Sequence, residues 1–386
     1  MSAPLQLNPT WLRNRVAELG LRQWWLAEQL GVDRRTVLRW VNGQVRQIAP
    51  ERAQALAAVL GCPVTEMLLL DDSRELASPA DQRAAGLALA GSALLDRLGP
   101  VGEWNVVEQL VRANAVPDLP LHVLGRLYHQ LCVACWRQDK LAEATRHNQA
   151  SLDLAQRCGD HSLHADALGS LANLQRWRGD TNAALATWHE ALALRAWLTP
   201  RQRGALHNNL GATLYESGDL AAGRAELVQA LACFDTDGTP MNRSITHGHL
   251  ALLALQEGQV DEAAHHATLS QTQAALADYR RGLALAALLQ ALVAAHRKQA
   301  DAASAALARG LAAFAALGIQ ESINHRLAAQ VWRLLGDAAA AHAACLLALQ
   351  LAAGFPCERA AAEDELRRVL AMSPPVTSQP GAAPLP

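Results

Sequence analysis

Residues Gly20–Gly43 read GLRQWWLAEQLGVDRRTVLRWVNG. The spacing predicts two short helices joined by a tight turn at Gly31-Val32-Asp33. Gly31 can take the left-handed conformation that closes the first helix, and Asp33 is a favoured N-cap for the second. Leu26, Ala27, Leu30, Val37 and Trp40 fall at positions that would form an apolar seam between the two helices. Arg34, Arg35 and Arg39 point away from that seam. The second helix therefore has a buried back and a basic front, a shape suited to the major groove of DNA.

Working outward, Asn8-Pro9 is a helix start, an N-cap followed by proline at the first helical position. It opens a helix to about Leu19, with Trp11, Leu12, Val16 and Leu19 facing the core, after a loose arm over residues 1–7. Past Gly43, a loop over 44–49 leads to a fourth helix from Pro50 to near Gly61, and a short fifth helix covers Val64–Leu70.

This pattern resembles the helix-turn-helix of the XRE/Cro repressor family. The resemblance rests on Gln23, Leu26-Ala27-Glu28, Leu30-Gly31-Val32, Thr36-Val37, Arg39-Trp40 and Asn42-Gly43, and continues through Leu60-Gly61-Cys62-Pro63-Val64-Thr65-Glu66-Met67-Leu68. It implies that Arg34, Arg35, Thr36 and Arg39 read bases and that Gln23, Asn42 and Arg46 hold phosphates. Arginine prefers guanine, through bidentate bonds to O6 and N7. Trp24 and Trp25 depart from the family pattern, which is polar there, and both cannot face so small a core.

Charge supports the placement. Residues 1–70 hold eight arginines and five acidic residues, while the whole chain of 386 residues carries a net charge of −2. The basic excess thus sits where a phosphate-binding surface would need it. Aromatic residues make up only 4% of a chain that is 51% hydrophobic, and alanine and leucine dominate. That composition favours close-packed helices, so the expected fold is all-α.

Residues 71–79, DDSRELASP, read as a linker. Beyond them a repeat emerges: RWRGDTNAALATWHEAL, LYESGDLAAGRAELVQAL, LALQEGQVDEAAHHATL and WRLLGDAAAAHAACLLAL. The turn glycines are Gly179, Gly218, Gly258 and Gly336, with weaker members near Gly99, Asp139 and Lys298. The spacing, roughly 37 to 41 residues, gives about seven helix pairs. Gly211, Ala251 and Ala184 would let helices approach closely. The array resembles tetratricopeptide repeats and implies a superhelix with a concave inner face. A last helix from about Cys357 to Met372 would cap it, closing a domain over 80–372, and the proline-rich residues 373–386 read as a disordered tail.

Anchored on the turns, the first helix of each pair faces inward. Asn173, Arg176, Asn208, Asn209 and Tyr215 are the candidate groove contacts; Asp166, Trp177, Glu216, His249, Gln256, Arg326, Gln330 and Arg333 also face inward, and His129, Trp136 and Arg137 lie upstream. Asparagine amides can bond both N–H and C=O of an extended peptide. An XRE-type domain (residues 8–70) ahead of such repeats resembles the RRNPP-type peptide-sensing regulators. The resemblance implies a homodimer on a pseudo-palindromic double-stranded DNA site, with a peptide or protein ligand in the groove. In a second reading, the repeats are an interaction scaffold and the helix-turn-helix is vestigial.

Catalytic signatures are missing from the sequence: no Walker loop, G-x-S-x-G, H-E-x-x-H or dinucleotide fingerprint. Seven scattered cysteines suggest no disulfide framework, and Cys132-x-x-Cys135 reads as a pair of buried thiols inside a helix. The expectation is a cytoplasmic protein that is not an enzyme and has no cofactor, metal or membrane segment.

Overall fold

The computed structural model describes residues 5–45, 47–62, 64–67, 79–91, 104–237 and 240–372. The chain divides into two compact units, Met1–Asp81 and Gln82–Pro386. Among the described residues there are nineteen α-helices and one two-stranded sheet.

The first unit contains α1 (Pro9–Glu18), α2 (Gln23–Gln29), α3 (Arg34–Val41) and α4 (Pro50–Leu60). Asn8 caps α1 by accepting the Trp11 N–H at 3.0 Å. Gly31 has φ +60°, and Val32 N–H reaches back to the Ala27 carbonyl at 3.0 Å, sealing the end of α2. Asp33 accepts the Arg35 N–H at 2.7 Å, capping α3. Leu26, Ala27, Val37 and Trp40 are buried with Leu12, Leu56, Leu60 and Met67, and Leu30 is half-buried against them. Each fully buried Leu or Val contributes roughly 1.5–3 kcal/mol.

Four expectations change here. The described part of the arm is not loose: Leu5–Gln6 (β1) pairs antiparallel with Gln47–Ile48 (β2), inside the expected 44–49 loop. Leu7 and Ile48 are buried in the core, which is what draws these two segments together. Leu19 is 42% exposed rather than facing the core, because α1 ends at Glu18 and Gly20 turns the chain away. Of the expected fifth helix, the described residues Val64–Met67 form a 3₁₀ turn.

In the second unit, α5 (Pro79–Gly91), whose first three residues belong to the first unit, and α6 (Trp104–Asn114) precede six antiparallel pairs. The pairs are α7 (Leu121–Trp136) with α8 (Leu141–Cys158), α9 (His161–Trp177) with α10 (Thr181–Ala193), and α11 (Pro200–Glu216) with α12 (Leu220–Asp237). Next come α13 (Pro240–Gln256) with α14 (Val260–Leu276), α15 (Arg280–His296) with α16 (Ala300–Ala316), and α17 (Ser322–Leu335) with α18 (Ala338–Leu351). The turn inside every pair holds one left-handed residue: Asp139, Gly179, Gly218, Gly258, Lys298 and Gly336. The repeat member near Gly99, residues 71–78 of the expected 71–79 linker and the 373–386 tail lie outside the described residues, and Pro79 opens α5.

The capping helix α19 (Pro356–Leu370) packs on α17 and α18 and also reaches α9. Phe355 meets Trp177 edge-on at 6.1 Å, and Pro356 lies against Gly179. Within the second unit, the helical array is thus closed back on its own second pair.

Candidate nucleic-acid interface and ligand groove

On α3, the residues at 37, 40 and 41 are buried and those at 34, 35, 38 and 39 are exposed. Arg34, Arg35 and Arg39 therefore stand in solvent on one side of a helix anchored from behind, and Thr36 is half-buried at its edge. Gln23 opens α2 and is half-buried, and Asn42 is exposed at the end of α3. Arg46 lies outside the described residues. Val41 is buried, and its carbonyl accepts from Arg13 at 3.1 Å. The adjacent indoles separate: Trp25 packs on the core and Trp24 is 55% exposed. Leu38, unremarked in the sequence reading, is 38% exposed beside the arginines.

The helix-turn-helix family profile matches residues 12–67. That segment is an XRE-type helix-turn-helix domain. Behind the XRE-type domain runs a chain of tetratricopeptide-like helical repeats. No curated protein sequence matches the chain.

Among solved structures, the chain is similar to a Rap protein complexed with Competence and Sporulation Factor: 12% identity, TM-score 0.55, covering 95% of this chain and 98% of that one. It is similar to the APC/C hetero-tetramer Cut9-Hcn1 at 15% identity and TM-score 0.50, covering 83% of this chain. There it spans 52% of the matched chain, about half its length. PlcR of Bacillus thuringiensis, solved with the peptide PapR7 and DNA, matches at 14% identity and TM-score 0.42 over 70% of this chain and 95% of that one. The Rap and Cut9 likenesses show a shared helical-repeat fold.

In the repeats, the first helices of successive pairs line a cavity of about 860 Å³ that α19 closes. Tyr215 and Glu216 reach it from α11, Gln256 from α13, and Arg326, Gln330 and Arg333 from α17. The expected groove contacts divide. Tyr215 lines the cavity, and burial pushes its hydroxyl pKa up. Asn173 is half-buried, with no side-chain hydrogen bond among the described residues. Arg176 is bound to Glu216 at 2.5 Å; burial opposes its charge, but the Glu216 carboxylate more than offsets this and raises its pKa.

Asn208 is a correction. Its side chain is buried between α11 and α13, where Oδ1 accepts from the Thr246 hydroxyl at 2.9 Å and from His249 Nδ1 at 3.2 Å. It also donates to Asn209 Oδ1 at 3.1 Å within α11, so the Asn208 amide joins neighbouring pairs, while the half-buried Asn209 side chain bonds only to Asn208 among the described residues. The sequence reading missed Glu358, which comes into the cavity from α19. The signal was position: Glu358 falls in the first turn of a helix expected only to cap the array.

Cys132 and Cys135 are fully buried, and burial pushes their thiols up to about 12 and about 11. Cys135, Glu143 and His147 bring ligand-type atoms within 4.8 Å of one another. Glu143 is bonded to Arg112 at 2.9 Å, and the raised pKa favours a neutral thiol over the thiolate a metal needs. No helix among the described residues is long and apolar enough to cross a membrane.

Proposed function

We propose that the protein is a sequence-specific DNA-binding transcriptional regulator whose repeat domain binds a peptide or protein ligand and sets the geometry of a homodimer. The observation that carries this is the exposed arginine face of α3, held by a capped turn and an apolar seam in which Leu26, Ala27, Val37 and Trp40 are buried. Arg34, Arg35, Thr36 and Arg39 read bases, while Gln23, Asn42 and Arg46 hold the phosphate backbone. A single such module covers only about 600–1,000 Å² on DNA, which favours a dimer on a pseudo-palindrome.

The ligand half is supported by the cavity and the polar groups that line it. The Rap protein that shares the fold was solved with Competence and Sporulation Factor bound. A ligand that prefers one superhelix pitch would shift the spacing of the two reading heads. The groove contacts are Tyr215, Gln256, Arg326 and Gln330.

The test is selection of bound sites from a random DNA library with the full-length protein. The expected result is an enriched dyad of fixed spacing. Arg34→Ala and Arg35→Ala should each cost about 1–3 kcal/mol and relax the sequence preference. If no site is enriched and both variants bind as the parent does, the regulator reading fails and the scaffold reading takes its place.

A further inference from the structure

Most charges around the 860 Å³ cavity are matched within the chain. Arg176 pairs with Glu216 at 2.5 Å, Arg333 with Glu365 at 2.6 Å and Arg368 with Asp364 at 2.6 Å. Two are not. Arg326 on α17 and Glu358 on α19 both line the cavity, and neither has a hydrogen-bond or ion-pair partner among the described residues. Arg326 Nε and Glu358 Oε2 are fully shielded by the protein. Burial raises the Glu358 pKa and the Arg326 charge lowers it, so the two groups sense each other without bonding. Unmatched buried charges are costly, and two of opposite sign in one cavity are retained to advantage when a ligand completes both.

The rest of the wall narrows the chemistry. Leu252, Leu255, Leu292 and Leu327 offer an apolar surface. Gln256 and Gln330 bring amides with no partner among the described residues, able both to donate and to accept. The volume falls in the roughly 300–1,000 Å³ range of small-ligand sites, too small to enclose a folded partner. A planar guanidinium suits a carboxylate, and a carboxylate suits an ammonium.

We propose that the cavity binds a short zwitterion with an apolar body, a free amino acid or a small peptide, by its two unblocked ends: carboxylate on Arg326, ammonium on Glu358. This rests on the reading of the groove as the ligand site. The ligand bridges the inner wall to the closing helix, so α19 is part of the site.

Thermal unfolding and titration calorimetry of the full-length protein test this with L-leucine, leucyl-leucine and leucyl-glycyl-glycine, each also N-acetylated and C-amidated. At least one unblocked probe should raise Tm and bind, and blocking either end should weaken binding at least tenfold. Leucine acting alone identifies a free amino acid; the peptides acting alone identify a peptide. Arg326→Gln should lose the preference for a free carboxylate and Glu358→Gln the preference for a free ammonium. Neither should lower Tm without ligand, since each removes an unmatched charge. Silence from all unblocked probes, or lower ligand-free Tm in both variants, overturns the proposal. Equal binding of blocked and free peptides also overturns it, while leaving the peptide-groove reading intact. Failure to find a DNA site, with the zwitterions still bound end-on, removes the regulator reading and leaves this one standing.

Discussion

Gly211 on α11 and Gly223 on α12 meet backbone to backbone. A Cβ on Gly211 would lie 2.9 Å from the Gly223 carbonyl oxygen, and one on Gly223 would lie 3.0 Å from that of Gly211. In an open helix, Gly→Ala gains up to about 1 kcal/mol. Here the obstacle is backbone, which cannot step aside, so overpacking decides the sign: Gly211→Ala should cost about 1–3 kcal/mol. Gly248, in the middle of α13, is the opposite case. Its nearest neighbours are side-chain atoms at 3.7 Å, an ordinary contact. Gly248→Ala should leave stability unchanged or raise it by up to about 1 kcal/mol. Urea midpoints for the two variants, at constant m-value, check both signs.

Asn208→Ala should destabilise the repeats by about 1–3 kcal/mol, because it leaves the His249 ring N–H without its acceptor and removes the bond across to the Thr246 hydroxyl, which keeps only the Asn242 carbonyl of its own helix. A side chain devoted to ligand contact would give little change in the ligand-free protein. Chemical denaturation monitored by circular dichroism separates the two outcomes.

Two histidines give the stability a pH dependence. Burial lowers the pKa of His247, with further lowering from His266 and His265, and burial likewise lowers that of His249; both stand at about 4, against a usual 6.5. The unfolded chain therefore takes up protons first as pH falls. Their contribution is complete above about pH 6.5 and is lost as pH drops toward 4. Tm measured from pH 7.5 to 4.5 should fall across that window, and His249→Gln should flatten part of the slope.

Glu108 acts in a lower window. Burial alone would raise its pKa, but hydrogen bonds from Lys140, Arg112 and Gln138 outweigh this and hold it at about 2, down from 4.5. Its contribution is present above pH 4.5 and lost as pH falls through 2. Glu108→Gln should flatten the acid limb between those values and leave the histidine window unchanged. An identical acid limb in the variant would falsify this assignment.

The sequence was most legible where one residue type has one physical use. Glycines with φ between +76° and +98° close four repeat turns, and each was visible as Gly-Asp or Gly-Gln. Asp139 and Lys298 occupy the same left-handed position without being glycine, so their turns stood out only by spacing. The β1–β2 pairing escaped because two-residue strands have no periodicity to detect. In the reading helix, caps and seam followed from local chemistry alone. The groove did not: Asn208 looked available because its partners, Thr246 and His249, lie a full repeat away. Glu358 was passed over because the wall it completes is built by a helix distant in sequence.

The contact of Phe355 with Trp177 has a kinetic consequence. A stack of repeats that touch only their neighbours can peel from either end, one unit at a time. Here the last helix grips the second pair, so peeling from the C-terminal side must first break a contact far back along the chain. The array should come apart in larger cooperative blocks than its repeat count suggests, and hydrogen exchange in α17–α19 should be tied to exchange in α9.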